Sequence, residues 1–165
     1  MKVLLIDDHS LFRAGLRLLT QSIRPGTHIY EASCIAEGID VAHQQPDIEI
    51  CLLDIHLAKE NGLDGIQQLK ACIPSVAIVV VSSETSSEMV SSALDAGAMA
   101  FIPKSSTPTE LSTAIQRVLD GELYIPQQAF ANRTEIRPSP PSHEQTTMGR
   151  LSCTHARTSK QADLS

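Results

Sequence analysis

No stretch of this chain approaches the roughly 20 consecutive apolar residues of a membrane-spanning helix. Its apolar runs, such as Ala77-Ile78-Val79-Val80-Val81, fall far short, so no membrane association is expected. The amino terminus, Met1-Lys2-Val3, runs straight into a strand pattern and lacks the basic–apolar–small layout of a signal peptide. The cysteines, Cys34, Cys51, Cys72 and Cys153, form no CxxC pair and no metal-ligand spacing. Cys51 and Cys72 lie in apolar surroundings, which predicts free thiols and a reducing, cytoplasmic setting. A basic surplus is also lacking: the net charge of −6 argues against a general nucleic-acid coat. Internal repeats are absent as well.

What is present suits one domain with a short appendage. The chain has 165 residues, long enough for a real core, and 42% of them are hydrophobic. Residues 1–126 carry 8 basic against 16 acidic side chains, whereas residues 127–165 carry 5 against 3. Two compositions therefore meet near residue 126. Beyond it, Pro138-Ser139-Pro140-Pro141-Ser142 excludes helix and central strand, and no later run could fill a core. Residues 127–165 are expected to form a linker and a flexible, disordered tail.

Within 1–126, strand patterns alternate with helix patterns. Lys2–Asp7, His28–Ala32, Ile48–Asp54, Ala77–Ser82 and Ala100–Pro103 read as strands; the first, third and fourth are near-continuous Val/Ile/Leu runs, as in parallel strands covered on both faces. In the first helix Phe12, Leu16, Leu19 and Ile23 are spaced 4, 3 and 4, with Arg13 and Arg17 on the opposite face. Ile35–Gln44 follows, with Ser33 as its expected cap, then Gly62–Cys72. Thr85-Ser86-Ser87-Glu88 predicts a capping box for Ser86–Ala96, and Thr107-Pro108-Thr109-Glu110 another for the last helix. Five βα units with right-handed crossovers lead to an α/β flavodoxin-like (βα)5 fold, a doubly wound parallel sheet of strand order 2-1-3-4-5.

Polar groups stand where these strands end: Asp7 and Asp8, Asp54, Ser82 and Lys104. Ligands bind at the carboxyl ends of strands in such sheets, so these groups should converge in one crevice. Singly, each has an ordinary reading, as a turn residue, a helix cap or a solvated charge. Jointly they suit a divalent cation and a phosphoryl group. Mg²⁺ takes carboxylate oxygens and keeps several waters. One carboxylate could then attack phosphorus and form an aspartyl phosphate, with the cation and Lys104 offsetting charge on the phosphoryl oxygens.

The runs Ile6-Asp7-Asp8-His9, Leu52-Leu53-Asp54-Ile55, Val81-Ser82 and Pro103-Lys104 resemble the receiver domain of two-component response regulators over about residues 2–126. Asp7-Asp8-His9-Ser10-Leu11-Phe12-Arg13-Ala14-Gly15-Leu16 and Gly121-Glu122-Leu123-Tyr124-Ile125-Pro126 resemble the NarL/FixJ (LuxR-type) branch. The resemblance implies that Asp54 accepts phosphate from a sensor histidine kinase or phosphotransfer protein. Asp7, Asp8, Asp54 and the main-chain carbonyl of His56 would hold Mg²⁺. Ser82 would be the switch hydroxyl, Lys104 the phosphoryl partner and Phe101 the aromatic that changes rotamer, with plain core packing as the alternative for Phe101. His56 and Glu84, each two residues past a site residue, would flank the phosphoryl group or else be solvated. His9 is expected to be a helix-start residue. Such a protein is a phospho-acceptor with at most slow self-dephosphorylation, and it can form a homodimer on phosphorylation.

Two positions depart from the pattern. Ala58 stands where receivers usually carry proline four residues after the acceptor, and Ser105 follows the lysine where many have proline. In NarL-type proteins the output is a helix-turn-helix DNA-binding domain of some 60 residues. Here Thr154-His155-Ala156-Arg157-Thr158-Ser159-Lys160-Gln161-Ala162-Asp163-Leu164-Ser165 resembles the start of one, a remnant that chance composition explains equally well. It is too short for two packed helices, so DNA binding by this chain alone is not expected. The competing readings are a DNA-binding transcriptional regulator with a truncated or divergent output domain, and a Mg²⁺-dependent hydrolase. The second would favour Asp-x-Asp, and His56 stands at that position.

Overall fold

A computed structural model describes residues 1–125 and Gln127. The rest of the expected tail, with the helix-turn-helix resemblance in it, lies outside the described residues. In chain order the elements are β1 (Lys2–Ile6), α1 (Ser10–Ile23), β2 (His28–Ala32), α2 (Ile35–Gln44), β3 (Ile50–Asp54), β4 (His56–Leu57), β5 (Glu60–Asn61), α3 (Gly62–Cys72), β6 (Ala77–Ser82), α4 (Ser87–Asp95), β7 (Ala100–Pro103) and α5 (Pro108–Leu119). The main sheet is parallel, in the order β2-β1-β3-β6-β7. This is the expected 2-1-3-4-5 topology once the small antiparallel hairpin β4–β5, which no hydrophobic pattern announced, is set aside.

Strand pleating divides the apolar residues between two layers. Leu4, Ile6, Cys51, Leu53, Ile78, Val80 and Phe101 face the side covered by α2, α3 and α4. Val3, Leu5, Ile50, Leu52, Val79, Val81 and Ile102 face α1 and α5. Both faces are covered, which is why these strands read as unbroken Val/Ile/Leu runs rather than alternating ones. After α5 the chain returns along the sheet edge: Phe101 N–H donates to Tyr124 O at 3.0 Å, and Tyr124 N–H to Met99 O at 3.1 Å.

Helix starts test the local readings one by one. Thr107 caps α5 with the full reciprocal box, its side chain accepting from Glu110 N–H while Glu110 accepts from Thr107 N–H. The box expected at Thr85 and Glu88 does not form. Ser86 is the cap of α4 instead, accepting from Met89 N–H at 3.3 Å, because the helix begins one residue later. Ser33 does not cap α2 either: its N–H and hydroxyl donate to Glu37, while Ile35 N–H donates to Glu60 of the β4–β5 hairpin at 2.6 Å. No described peptide bond is cis, Lys104–Ser105 included.

Gly62 opens α3 directly beneath β3. A Cβ there would stand 2.3 Å from Ile55 Cα, a backbone atom that cannot step aside. Gly62→Ala is therefore expected to lower the free energy of unfolding by about 1–3 kcal/mol, read by urea denaturation followed by circular dichroism.

Candidate functional site

Strand register assembles the site. Ile6 pairs with Leu53, which sets Asp7 level with Asp54. Asp54 pairs with Val81, so Ser82 lies one residue further along β6, opposite Pro103 of β7. Lys104 follows, its backbone N–H donating to Ser82 O at 2.8 Å. Residues from distant parts of the chain thus meet at the carboxyl rim of the sheet, where no strand continues to cover them.

Asp7 and Asp54 are buried, each 2% exposed, and charged groups so enclosed require compensation. Lys104 Nζ donates to Asp54 Oδ2 at 2.8 Å and lies 3.1 Å from Asp7 Oδ2. The second contact is an ion pair without hydrogen-bond geometry, and Asp7 Oδ2 remains a buried acceptor with no hydrogen bond. The other oxygens are held by backbone amides. Asp7 Oδ1 accepts from His9 N–H at 2.7 Å, Asp54 Oδ1 from His56 N–H at 2.9 Å, and Asp8 Oδ2 from Ala58 N–H at 3.1 Å. Burial alone would lower the pKa of Lys104. The hydrogen bond to Asp54, the close contact with Asp7 and the charges of both outweigh it and raise the ammonium above the ordinary lysine value of 10.5.

One participant exceeds its expected role. His9 does occupy the cap position of α1, but its side chain makes no cap. Its ring Nδ1 instead lies 3.0 Å from Asp7 Oδ1, 3.1 Å from Asp8 Oδ1, 3.6 Å from Asp54 Oδ2 and 3.2 Å from Lys104 Nζ. One ligand-type atom from each of Asp7, Asp8, His9 and Asp54 lies within 4.8 Å of the others. Clustered carboxylate oxygens with one buried and unbonded are the donor set a hard divalent cation takes.

The remaining expected residues sit around this cluster. Ser82 is buried and accepts from Glu84 N–H at 3.0 Å, with no hydrogen bond to Asp54. Phe101 is wholly buried in the layer beneath α4. His56 and Glu84 contact each other rather than stand free: Nε2 lies 3.1 Å from Oε2, joining the loops after β3 and β6.

Residues 3–116 match the family described as the response regulator receiver domain. The glycerol metabolism activator of Pseudomonas putida is 32% identical over 125 residues, 76% of this chain and 57% of that protein. The response regulator UvrY of Escherichia coli K12 is 28% identical over 125 residues, with the same shares of each chain. A LuxR family DNA-binding response regulator from Silicibacter pomeroyi, known as a crystal structure, superposes with a TM-score of 0.69 at 33% identity, covering 78% of this chain and 98% of that one. The chain therefore spans 57% of the length of these two curated relatives.

The raised pKa of Lys104 fixes a sign. Its ionic contribution to folding is complete below the ordinary value of 10.5 and drains away as the pH climbs through the higher folded-state value. Lys104→Met is expected to cost about 2–3 kcal/mol near neutral pH, somewhat less than breaking a fully buried pair. Urea titrations of variant and wild type should converge as the pH rises beyond 10.5.

Proposed function

Because the chain belongs to the response regulator receiver domain family, we propose that Asp54 is its phospho-acceptor, loaded by a sensor histidine kinase or a phosphotransfer protein. A receiver domain is a phospho-acceptor rather than a classical enzyme. The observation that carries the assignment is the Lys104 ammonium, 2.8 Å from Asp54 Oδ2, beside a buried Asp7 oxygen that accepts no hydrogen bond. Asp54 Oδ attacks the phosphorus of a phosphohistidine; the O–P bond forms, the N–P bond breaks and the imidazole leaves.

Asp7, Asp8, Asp54 and the main-chain carbonyl of His56 would hold Mg²⁺, whose chemistry here is to offset charge on phosphoryl oxygens. Lys104 pairs with the same oxygens. Phosphorylation adds about 1.5–2 negative charges and strong acceptors at this rim. Ser82 then turns its hydroxyl to the phosphoryl group, away from the turn it makes with Glu84, and room opens for Phe101 to repack the face of α4, β7 and α5. Slow self-dephosphorylation limits the signal, with His56 and Glu84 at the mouth admitting or excluding water.

The receiver unit extends to about residue 126 and acts in the cytoplasm. The relatives' names support an output in transcription regulation, which this chain would join as a switch.

Incubation with Mg²⁺ and acetyl phosphate, followed by intact-mass measurement, should show one added phosphoryl group. Asp54→Ala should abolish it, and Asp8→Ala or removal of divalent cation by chelation should slow it at least tenfold. Phosphorylation of Asp54→Ala at wild-type yield would refute the assignment.

A further inference from the structure

His9 holds the N-cap position of α1, where a short oxygen-bearing side chain would satisfy an open backbone amide. The histidine makes no such cap, and its ring turns instead into the acidic cluster. Nδ1 lies 3.0 Å from Asp7 Oδ1, 3.1 Å from Asp8 Oδ1 and 3.6 Å from Asp54 Oδ2. A ring nitrogen carries at most one proton, and one N–H is aimed at one oxygen rather than three. Lys104 Nζ approaches the same atom at 3.2 Å, and an ammonium, which only donates, needs a lone pair there. Ala58 N–H takes the other oxygen of Asp8, so Oδ1 is the one turned toward His9. Independently of these contacts, Asp7 Oδ2 is a buried acceptor without a hydrogen bond.

We propose that His9 Nδ1 is a direct ligand for a nitrogen-seeking divalent cation of the zinc class, held jointly with Asp7, Asp8 and Asp54, whereas Mg²⁺ uses the oxygens alone. The proposal rests on the reading of these carboxylates as a cation site; it does not need Asp54 to accept phosphate. Donor atoms roughly 2.0–2.1 Å from one ion stand about 2.9 Å apart in an octahedron and about 3.3 Å apart in a tetrahedron. The separations of 3.0, 3.1 and 3.6 Å around Nδ1 are close to those edges. One donor atom from each of the four residues lies within 4.8 Å of the others, so a single ion can reach all of them.

The nitrogen decides which ion gains. Carboxylates attract both kinds of cation, but imidazole suits Zn²⁺, Ni²⁺ and Cu²⁺, while Mg²⁺ keeps its waters and draws little from a nitrogen. The His9 side chain is 63% exposed, which leaves an entry path from solvent and keeps Nε2 in water as the N–H of the bound tautomer. An ion on Nδ1 takes the lone pair that Lys104 now meets and leaves the ammonium its carboxylate contacts at 2.8 and 3.1 Å. A zinc-class ion thus competes with Mg²⁺ for the same carboxylates, and occupancy of the rim follows the supply of transition metal.

The test is NMR of the full chain labelled with ¹⁵N, titrated with Zn²⁺ alone and with Mg²⁺ alone. Long-range ¹H–¹⁵N spectra read each imidazole nitrogen separately, so ions held at thiols or at other histidines are told apart from the rim. Zn²⁺ should move His9 Nδ1 to the position of a metal-bound nitrogen with Nε2 protonated, and Mg²⁺ should not. The backbone amides of Asp8 and His56 should shift with both ions. His9→Asn should weaken Zn²⁺ binding, read at those amides, at least about tenfold and Mg²⁺ binding less than about twofold. Asparagine is among the best N-cap residues, so the variant's Tm should be no lower than that of the wild type, and the wild-type nitrogen signal needs no variant at all. A His9 Nδ1 signal that stays in place while Zn²⁺ saturates the rim amides overturns the proposal and leaves the cation site standing. So does a Zn²⁺ affinity at the rim that His9→Asn leaves unchanged, or Zn²⁺ that moves only signals of other histidines and cysteines. Rim amides indifferent to both ions refute the cation-site reading itself, and the role of His9 falls with it.

Discussion

The ammonium of Lys104 stands between two carboxylates that the sheet has already withdrawn from water, and most of the rim is arranged around that contact. Parallel pairing carries Asp7 and Asp54 to the same level and buries both. Two such charges a few ångströms apart repel strongly where the surroundings are not water. A fixed cation relieves that repulsion, and Lys104, just past the end of β7, reaches both. The arrangement holds charge in readiness: one oxygen of Asp7 has no hydrogen bond to lose, and Asp54 keeps one oxygen on a backbone amide while the other faces the lysine. An arriving anion or cation thus meets groups whose desolvation was completed during folding.

How far this could be read beforehand depended on the range of the forces involved. The strands, their order and the convergence of Asp7, Asp8, Asp54 and Lys104 follow from short apolar runs that end in polar residues, since covering both sheet faces leaves only the rim for charge. The Thr107 capping box is a three-residue matter and was equally visible. The cap of α2 was not. Its partner, Glu60, lies 25 residues downstream in a hairpin of two-residue strands too short to show periodicity. His9 looked like a helix-start residue, and only the folded backbone reveals that its ring reaches three carboxylates.

The loop after Asp54 shows what a departure from a family pattern can supply. A proline at residue 58 would stiffen this segment but could not donate a hydrogen bond. Ala58 has an N–H, and it is spent on Asp8. Three residues on from Lys59-Glu60, α3 is under way, and Glu60 itself anchors the loop to the start of α2. The segment is therefore tied at one end to the acidic cluster and at the other to the start of α2, the neighbour of α3 on the same face of the sheet. Local stiffness has been replaced by attachment.

β7 sends its side chains alternately to opposite sides, Phe101 into the layer under α2, α3 and α4, and Ala100 and Ile102 into the layer under α1 and α5. Lys104, just past its end, rests over Phe12 of α1. β1, β3 and β6 divide their side chains between the helical layers in the same way, and at β7 the site's lysine follows directly and reaches α1. Descendants of this chain could redesign one layer for a new associate while the other keeps its old duties, because the sheet between them acts as a bulkhead. Divergence would then proceed face by face, with the sheet the common part that selection must leave alone.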